Sequence, residues 1–328
     1  MEKEIQIVPT ESIQMLQKEN ENLKTELSGL KLYFTELEET NNHLVAATWR
    51  EREMKKKLSE TLDELNNTRQ IVESQNKRIT ESINYSRKIQ LAINPTEHDL
   101  KSYNPDSFIL YLPKDVISGD FPWLYETGDY LYLAAVDCTG HGVPGAMMSM
   151  IGNLLLNDIV NDGEMLMPSV ILRRLHEAVV KTLKQDSSDG NSNDGMDIGL
   201  CCINKKKAEV IFSGAHRPLF FLQDGKVEII SGDKFPIGGM HYKGLNKFTD
   251  HVLPYKKGDS MFLFTDGLPD QTGGPEKRKL MTRNLKQFME ENAHLEMQSF
   301  KETLYTYLEA WKGTNKQVDD ILILGLNF

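Results

Sequence analysis

Over residues 1–93 the apolar positions recur every seven residues. With Leu16 as heptad position d, the series runs Leu16, Leu23, Leu30, Leu37, Leu44, Glu51, Leu58, Leu65, Val72, Ile79, Ser86, Ile93, ten of the twelve apolar. The a series, from Ile13 and Asn20 to Ile83 and Gln90, is apolar at only five of twelve positions. Leucine at d with scattered asparagine at a is the pattern that a parallel two-stranded coil tolerates, because a buried Asn fixes register at some cost in stability. Such a helix would be about 115 Å long. It is unstable alone, so its apolar seam needs a partner, and a homodimer is expected. The stretch from Asn41 to Lys55 has polar residues at both core positions, Asn41, Thr48 and Lys55 at a and Glu51 at d, which reads as a local break or an antiparallel return. The same pattern serves a passive oligomerisation stalk or a rod that transmits a signal.

Asn94-Pro95 ends the helix, because proline disfavours helical geometry at the residue before it. The period then changes. Runs rich in Ile, Val, Phe and Tyr, bounded by Gly, Asp, Asn or Pro, predict strands at Phe108–Leu112, Tyr130–Val136, Ile198–Ile203, Glu209–Phe212, Leu219–Leu222, Val227–Ile230, Met261–Phe264 and Ile321–Leu326. Helices fit Pro144–Asn161, Pro168–Lys184 and two amphipathic segments between Leu280 and Trp311. Strands come in runs instead of alternating with helices, which predicts an α+β layered domain. The expected organisation is a coiled coil over 1–93, a linker over 94–104 and a second domain over 105–328. Asp186 to Gly195 is polar and glycine-bearing, so a mobile loop is expected there.

The net charge of -10 argues against a general nucleic-acid binder, which needs a basic face for phosphates. It leaves room for a metal site, since acidic clusters attract hard cations. Three cysteines, Cys138, Cys201 and Cys202, give neither a disulfide framework nor zinc-type spacing, so a reducing cytoplasm is the simplest setting. The charged Met1-Glu2-Lys3-Glu4 lacks the apolar core of a signal peptide. Met147 to Val160, broken by Gly152, Asn153, Asn157 and Asp158, reads as too short and polar for a membrane span.

Four aspartates are each expected at the end of a strand, beside glycine or another acid: Asp120 in Val116-Ile-Ser-Gly-Asp120, Asp137 in Ala134-Ala-Val-Asp137, Asp266 in Phe262-Leu-Phe-Thr-Asp266-Gly267, and Asp319 in Val318-Asp319-Asp320. Taken singly, each could open a turn or cap a helix. Four of the same form point to carboxylates that converge and require cations, of the hard Mg²⁺ or Mn²⁺ kind, to offset their repulsion.

The segments Lys114-Asp-Val-Ile-Ser-Gly-Asp120, Asp137-Cys-Thr-Gly-His-Gly-Val-Pro-Gly-Ala146, Gly195-Met-Asp-Ile-Gly199, Ser213-Gly-Ala-His-Arg-Pro218, Phe264-Thr-Asp-Gly267 and Val318-Asp-Asp-Ile321 resemble, in order, the metal-dependent protein phosphatases of the PPM superfamily, most closely the bacterial SpoIIE/RsbU branch. The resemblance spans about Asn104 to Phe328. It implies a β-sandwich of two antiparallel sheets flanked by helices, with two Mn²⁺ or Mg²⁺ ions at one edge. It further implies that Asp137 bridges both ions, that Asp266 and Asp319 complete the first site, and that Asp120 and the Cys138 carbonyl serve the second. Asp320 is the less suited of its acidic pair to ligation. The implied enzyme is a protein-serine/threonine phosphatase in which a water shared by two cations attacks phosphorus in line. Its implied substrate is a partner-switching phosphoprotein resembling an anti-sigma-factor antagonist.

Departures from the pattern bear on substrate handling. Trp123 stands where many members carry a further acid, preceded by Pro122, and the arginine that holds phosphate in animal relatives has no counterpart. His141 lies four residues after Asp137, not at the spacing of the proposed general acid of those relatives, so it reads as structural, as does His216; Lys114 could touch phosphate but reads better as solvated. Two other readings compete: a coiled-coil scaffold that only binds partners, and a two-metal nucleotide cyclase, for which no base-recognising pattern or internal repeat is present. Because the long helix runs into the domain through Ile83–Ile93, dimerisation or a partner is expected to reorient it and set metal occupancy.

Overall fold

The structure, a computed structural model, describes residues 10–161, 165–186, 192–239 and 247–328. Met1–Glu4 and residues 187–191 of the polar loop lie outside the described residues. The chain divides into two compact units, one up to Arg78 and one over Ile79–Phe328.

Helix α1 (Thr10–Ile93) is unbroken. Asn41–Lys55 therefore forms neither a break nor a return. Polar residues at core positions weaken a seam between helices, but Ala46, Ala47, Arg50, Glu51 and Glu53 remain good helix formers. Glu51 and Lys55 also pair at 2.7 Å across one turn. The seam leucines Leu16, Leu23, Leu30, Leu37 and Leu44 are all at least half exposed.

Beyond α1, the expected linker contains a helix, α2 (Glu97–Tyr103), opened by a capping box in which Thr96 and Asp99 each satisfy the other's backbone. The strands that follow are β1 (Ser107–Leu112), β2 (Phe121–Thr127), β3 (Tyr130–Cys138), β4 (Gly195–Asn204), β5 (Glu209–Ala215), β6 (Leu219–Gln223), β7 (Lys226–Ile230), the short β8 (Ile237–Gly238), β9 (His251–Pro254), β10 (Ser260–Phe264), the short pair β11 (Thr272–Gly273) and β12 (Arg278–Lys279), and β13 (Ile321–Asn327). The helices are α3 (Gly142–Val160) and α4 (Pro168–Thr182), then α5 (Gly267–Asp270), α6 (Met281–Glu291) and α7 (Met297–Lys312).

Two antiparallel sheets result, in the orders β1-β13-β10-β6-β7 and β2-β3-β4-β5-β9, with β8 added on β4. Alternation along each strand sets the layers. On β3, Leu131, Leu133 and Ala135 join Phe221, Leu263 and Leu324 of the opposite sheet in the central core. Tyr132, Ala134 and Val136 point the other way and pack with Leu156 of α3 and Leu172 and Leu175 of α4. The other sheet presents Phe108, Phe262 and Ile323 to Leu285 of α6 and Phe300 and Leu304 of α7. The domain is thus a four-layer sandwich, helix–sheet–sheet–helix, as the resemblance implied.

Helix α3 is long and apolar enough, by length and composition, to cross a membrane. Here its Met148, Leu156 and Val160 sit in the core beneath the second sheet.

Candidate metal centre

Register carries the four aspartates to one end of the sandwich. The start of β2 pairs with the end of β3 through Phe121 and Val136, so Asp120 and Asp137 emerge side by side. The end of β10 pairs with the start of β13 through Phe264 and Ile323, so Asp266 and Asp319 do the same on the facing sheet. All four, with Cys138, His141 and Asp320, line one cavity of about 280 Å³. Lys114 does not line it.

Local contacts fix these loops. Thr265 donates its backbone N–H to Leu322 O at 3.0 Å, and its hydroxyl accepts from Leu322 N at 3.0 Å. A Cβ on Gly267 would stand 1.9 Å from Asp320 O, so only glycine lets the Asp266 loop close on β13. Asp320 is buried and accepts from Lys114 N at 2.7 Å and Gly119 N at 2.9 Å. Its carboxylate is engaged in holding the Asp120 loop. Gln90, a polar a position of α1, is buried: its side-chain amide donates to Ser118 O at 2.7 Å and Ser149 Oγ at 2.9 Å and accepts from Ser118 N at 3.2 Å. It thereby clasps the residue two before Asp120.

Burial dominates the electrostatics. Asp120 is 3% exposed, and desolvation, reinforced by Asp137, holds its carboxyl well above the ordinary range. Asp137 is pushed up to about 7 by burial, with Arg217 pulling the other way and Asp266 and Asp197 adding to the rise. Oδ2 of Asp120 and Oδ2 of Asp137 are buried without a hydrogen-bond partner. A buried carboxylate oxygen left unpaired, as Asp120 Oδ2 is, is costly, and a hard cation is the partner that suits it. The donor set therefore fits divalent metal. Burial and the neighbouring Asp137 hold the Cys138 thiol protonated, which leaves its carbonyl as the only hard donor there. Among the described residues no three His, Cys, Asp or Glu side chains already stand closed at metal-holding distances.

Among these carboxylates stands a cation that sequence reasoning missed. Arg217 Nη2 lies 2.8 Å from Asp266 Oδ2, 2.8 Å from Asp197 Oδ2 and 3.3 Å from Asp137 Oδ2. Asp137 and Asp197 face each other across β3 and β4, a like-charge pair that the guanidinium offsets. The signal lay inside two quoted segments: an acid in Gly195-Met-Asp197 and an arginine before Pro218. His141 stands at the rim, exposed, with Nδ1 2.9 Å from Asp115 Oδ2. His216 Nδ1 lies 2.9 Å from Asp197 Oδ1. Trp123 is buried, donates to Asn157 Oδ1 at 2.9 Å and stacks on Tyr125, so it anchors α3 and serves no ion.

A family profile described as Stage II sporulation protein E (SpoIIE) matches residues 127–328. No curated protein sequence matches the chain. Among solved structures, the SiaA-PP2C domain of Pseudomonas aeruginosa is similar at 29% identity and a TM-score of 0.70, over 77% of this chain and 98% of that one. The PP2C phosphatase domain of SpoIIE from Bacillus subtilis, with a fragment of its regulatory domain, matches at 17% identity and 0.56, over 68% and 62%. The RsbU and RsbW domains of a Mycobacterium tuberculosis protein match at 22% and 0.52, over 67% and 59%. The last two likenesses concern the fold alone. With the family profile covering more than half of its residues and the sandwich that of the PP2C phosphatases, this chain belongs to the SpoIIE family.

Proposed function

We propose that the chain is a metal-dependent phosphatase that hydrolyses phosphoserine or phosphothreonine on a protein substrate. One observation carries the reading: Asp120, Asp137, Asp266 and Asp319, remote in sequence, share one cavity in which Asp120 Oδ2 is buried without a hydrogen-bond partner. Asp137 and Asp266 would hold the first ion with Asp319, and Asp120 with the Cys138 carbonyl would hold a second alongside Asp137. The chemistry that Mg²⁺ or Mn²⁺ supplies when bound there is a polarised water and compensation of phosphoryl charge. The protein's own part is to hold the carboxylates at one edge, largely desolvated, and to keep the cavity open to a phosphorylated side chain.

On the family resemblance, the proposed substrate is a partner-switching phosphoprotein of the anti-sigma-factor antagonist kind. Three free, buried cysteines support a reducing, cytoplasmic setting. A scaffold that binds such a partner without turnover is the second reading, favoured by the ligand side chains not being closed into a cluster.

One assay separates the two. With a phosphoserine peptide and p-nitrophenyl phosphate, turnover should require Mn²⁺ or Mg²⁺, vanish in chelator and be lost in Asp266→Asn. Turnover that survives chelator and this substitution would exclude the metal mechanism, and its absence on every phosphorylated substrate would favour the scaffold.

The exposed leucine seam of α1 supports dimerisation through the coil. Sedimentation equilibrium should give a dimer for the full chain and a monomer after removal of residues 1–78. A dimer that persists without them would assign the contact elsewhere.

A further inference from the structure

Arg217 is placed with unusual care. It follows His216, whose φ of +58° lies in the left-handed region that non-glycine residues seldom adopt. That turn is held by His216 N donating to Asp233 O at 2.8 Å and Arg217 N donating to Ala215 O at 2.7 Å. A Cβ on Gly214 would stand 2.3 Å from Arg217 O, so the strand before the turn must present glycine to it. Pro218 then fixes the exit. The result is a side chain only 16% exposed, with one nitrogen facing Asp137, Asp197 and Asp266. Burial opposes its charge, but these three carboxylates outweigh that cost and hold the guanidinium protonated. Its Nε is buried without a partner, so the fork is aimed by the carboxylates and not by a full set of hydrogen bonds.

A divalent ion drawn to Asp137 and Asp266 meets a cation already bound to one and close against the other. We propose that Arg217 is a built-in counter-ion of the metal ligands, a positioning residue that keeps Asp137 and Asp266 facing one another and competes with divalent metal for them. The ion must displace the guanidinium from those oxygens, and Asp197, paired with His216, is the partner that retains it. Arg217 thereby raises the metal concentration at which the site fills. This rests on the reading of Asp137 and Asp266 as ligands.

The test is isothermal titration calorimetry of the full chain with Mn²⁺, beside thermal melts in EDTA. Arg217→Gln should bind Mn²⁺ roughly tenfold more tightly, since a like charge next to the ion is gone. It should melt lower than the parent in EDTA and gain more from added Mn²⁺. Arg217→Lys, which keeps the charge, should stay within about threefold of the parent affinity. Should the glutamine variant fail to fold, the parent itself decides the matter: the Arg217 Nε–Hε resonance, assigned by its absence in Arg217→Lys, should move on saturation with Mg²⁺. Unchanged or weaker Mn²⁺ binding in a folded Arg217→Gln, or a resonance that stays in place, overturns the inference and leaves the phosphatase reading standing. A parent chain that binds no Mn²⁺ overturns both.

Discussion

Asp137→Asn should cut phosphoserine-peptide hydrolysis by at least about a thousandfold while the domain stays folded, the scale expected when the main charge-stabilising group of an active site is lost. The side chain leaves the end of β3 into the cavity, and its Oδ2 has no hydrogen-bond partner there. Asparagine keeps the shape and removes the charge, so the proposed bridge between two ions is weakened at constant volume. Folding should not suffer. In chelator, Asp137 is a buried carboxylate beside Asp266 and Asp197, with Arg217 set against them, and burial already drives it toward its neutral form. Removing it relieves repulsion, so the melting temperature in EDTA should be unchanged or higher than that of the parent. The stabilisation that the parent gains from Mn²⁺ should disappear in the variant. Peptide kinetics and paired melts with and without Mn²⁺ read both effects. A variant that retains near-parental turnover would remove Asp137 from the chemistry, and with it the proposed arrangement of ligands.

Much of this site was legible because an acid beside an apolar run is a short-range pattern: Asp137 and Asp266 stand at the ends of β3 and β10, whereas Asp120 and Asp319 stand just ahead of β2 and β13 and not at a strand's end as expected. Their meeting was not legible in that way: it depends on which strand ends pair, through Phe121 with Val136 and Phe264 with Ile323, and only the order of motifs implied it. Strand β2 went unread because Pro122 argues against a strand interior. It is tolerated because β2 is an edge strand, where one side of the backbone needs no donor. Strand β9, at the opposite edge and ending at Pro254, escaped for the same reason. Helix α2 hid behind Pro95, though Thr96 and Asp99 form a capping box whose spacing was readable. Gln90 stands in the heptad only as one more polar a position, and its clasp on Ser118 depends on a contact 28 residues along the chain. Arg217 lay in a turn with no periodicity to flag it. Its importance comes from three carboxylates delivered by β3, β4 and the end of β10, a long-range fact that no local window contains.

The second large effect is expected from one carbon atom. Gly145→Ala should destabilise the C-terminal unit by more than about 3 kcal/mol, beyond the ordinary range for a small-to-large change in a packed interior. A Cβ at this position would stand 2.1 Å from Gly140 O and 2.9 Å from Gly119 Cα. Both neighbours are backbone, so no side chain can rotate to make room. Gly119 precedes Asp120, and Gly140 follows Cys138 by two residues, so the first turn of α3 is wedged between the two loops that carry the proposed second ion's donors. Any relief must part those loops, which Asp320 and Gln90 hold through Gly119 and Ser118. The stability loss and the loss of metal response should therefore appear together. Urea melts of Gly145→Ala, with and without Mn²⁺, should show a lowered midpoint and little recovery on adding metal. A variant of parental stability that still gains from Mn²⁺ would mean that the loops yield independently of α3, and that the glycines of the Asp137–Ala146 segment answer to something other than this close contact.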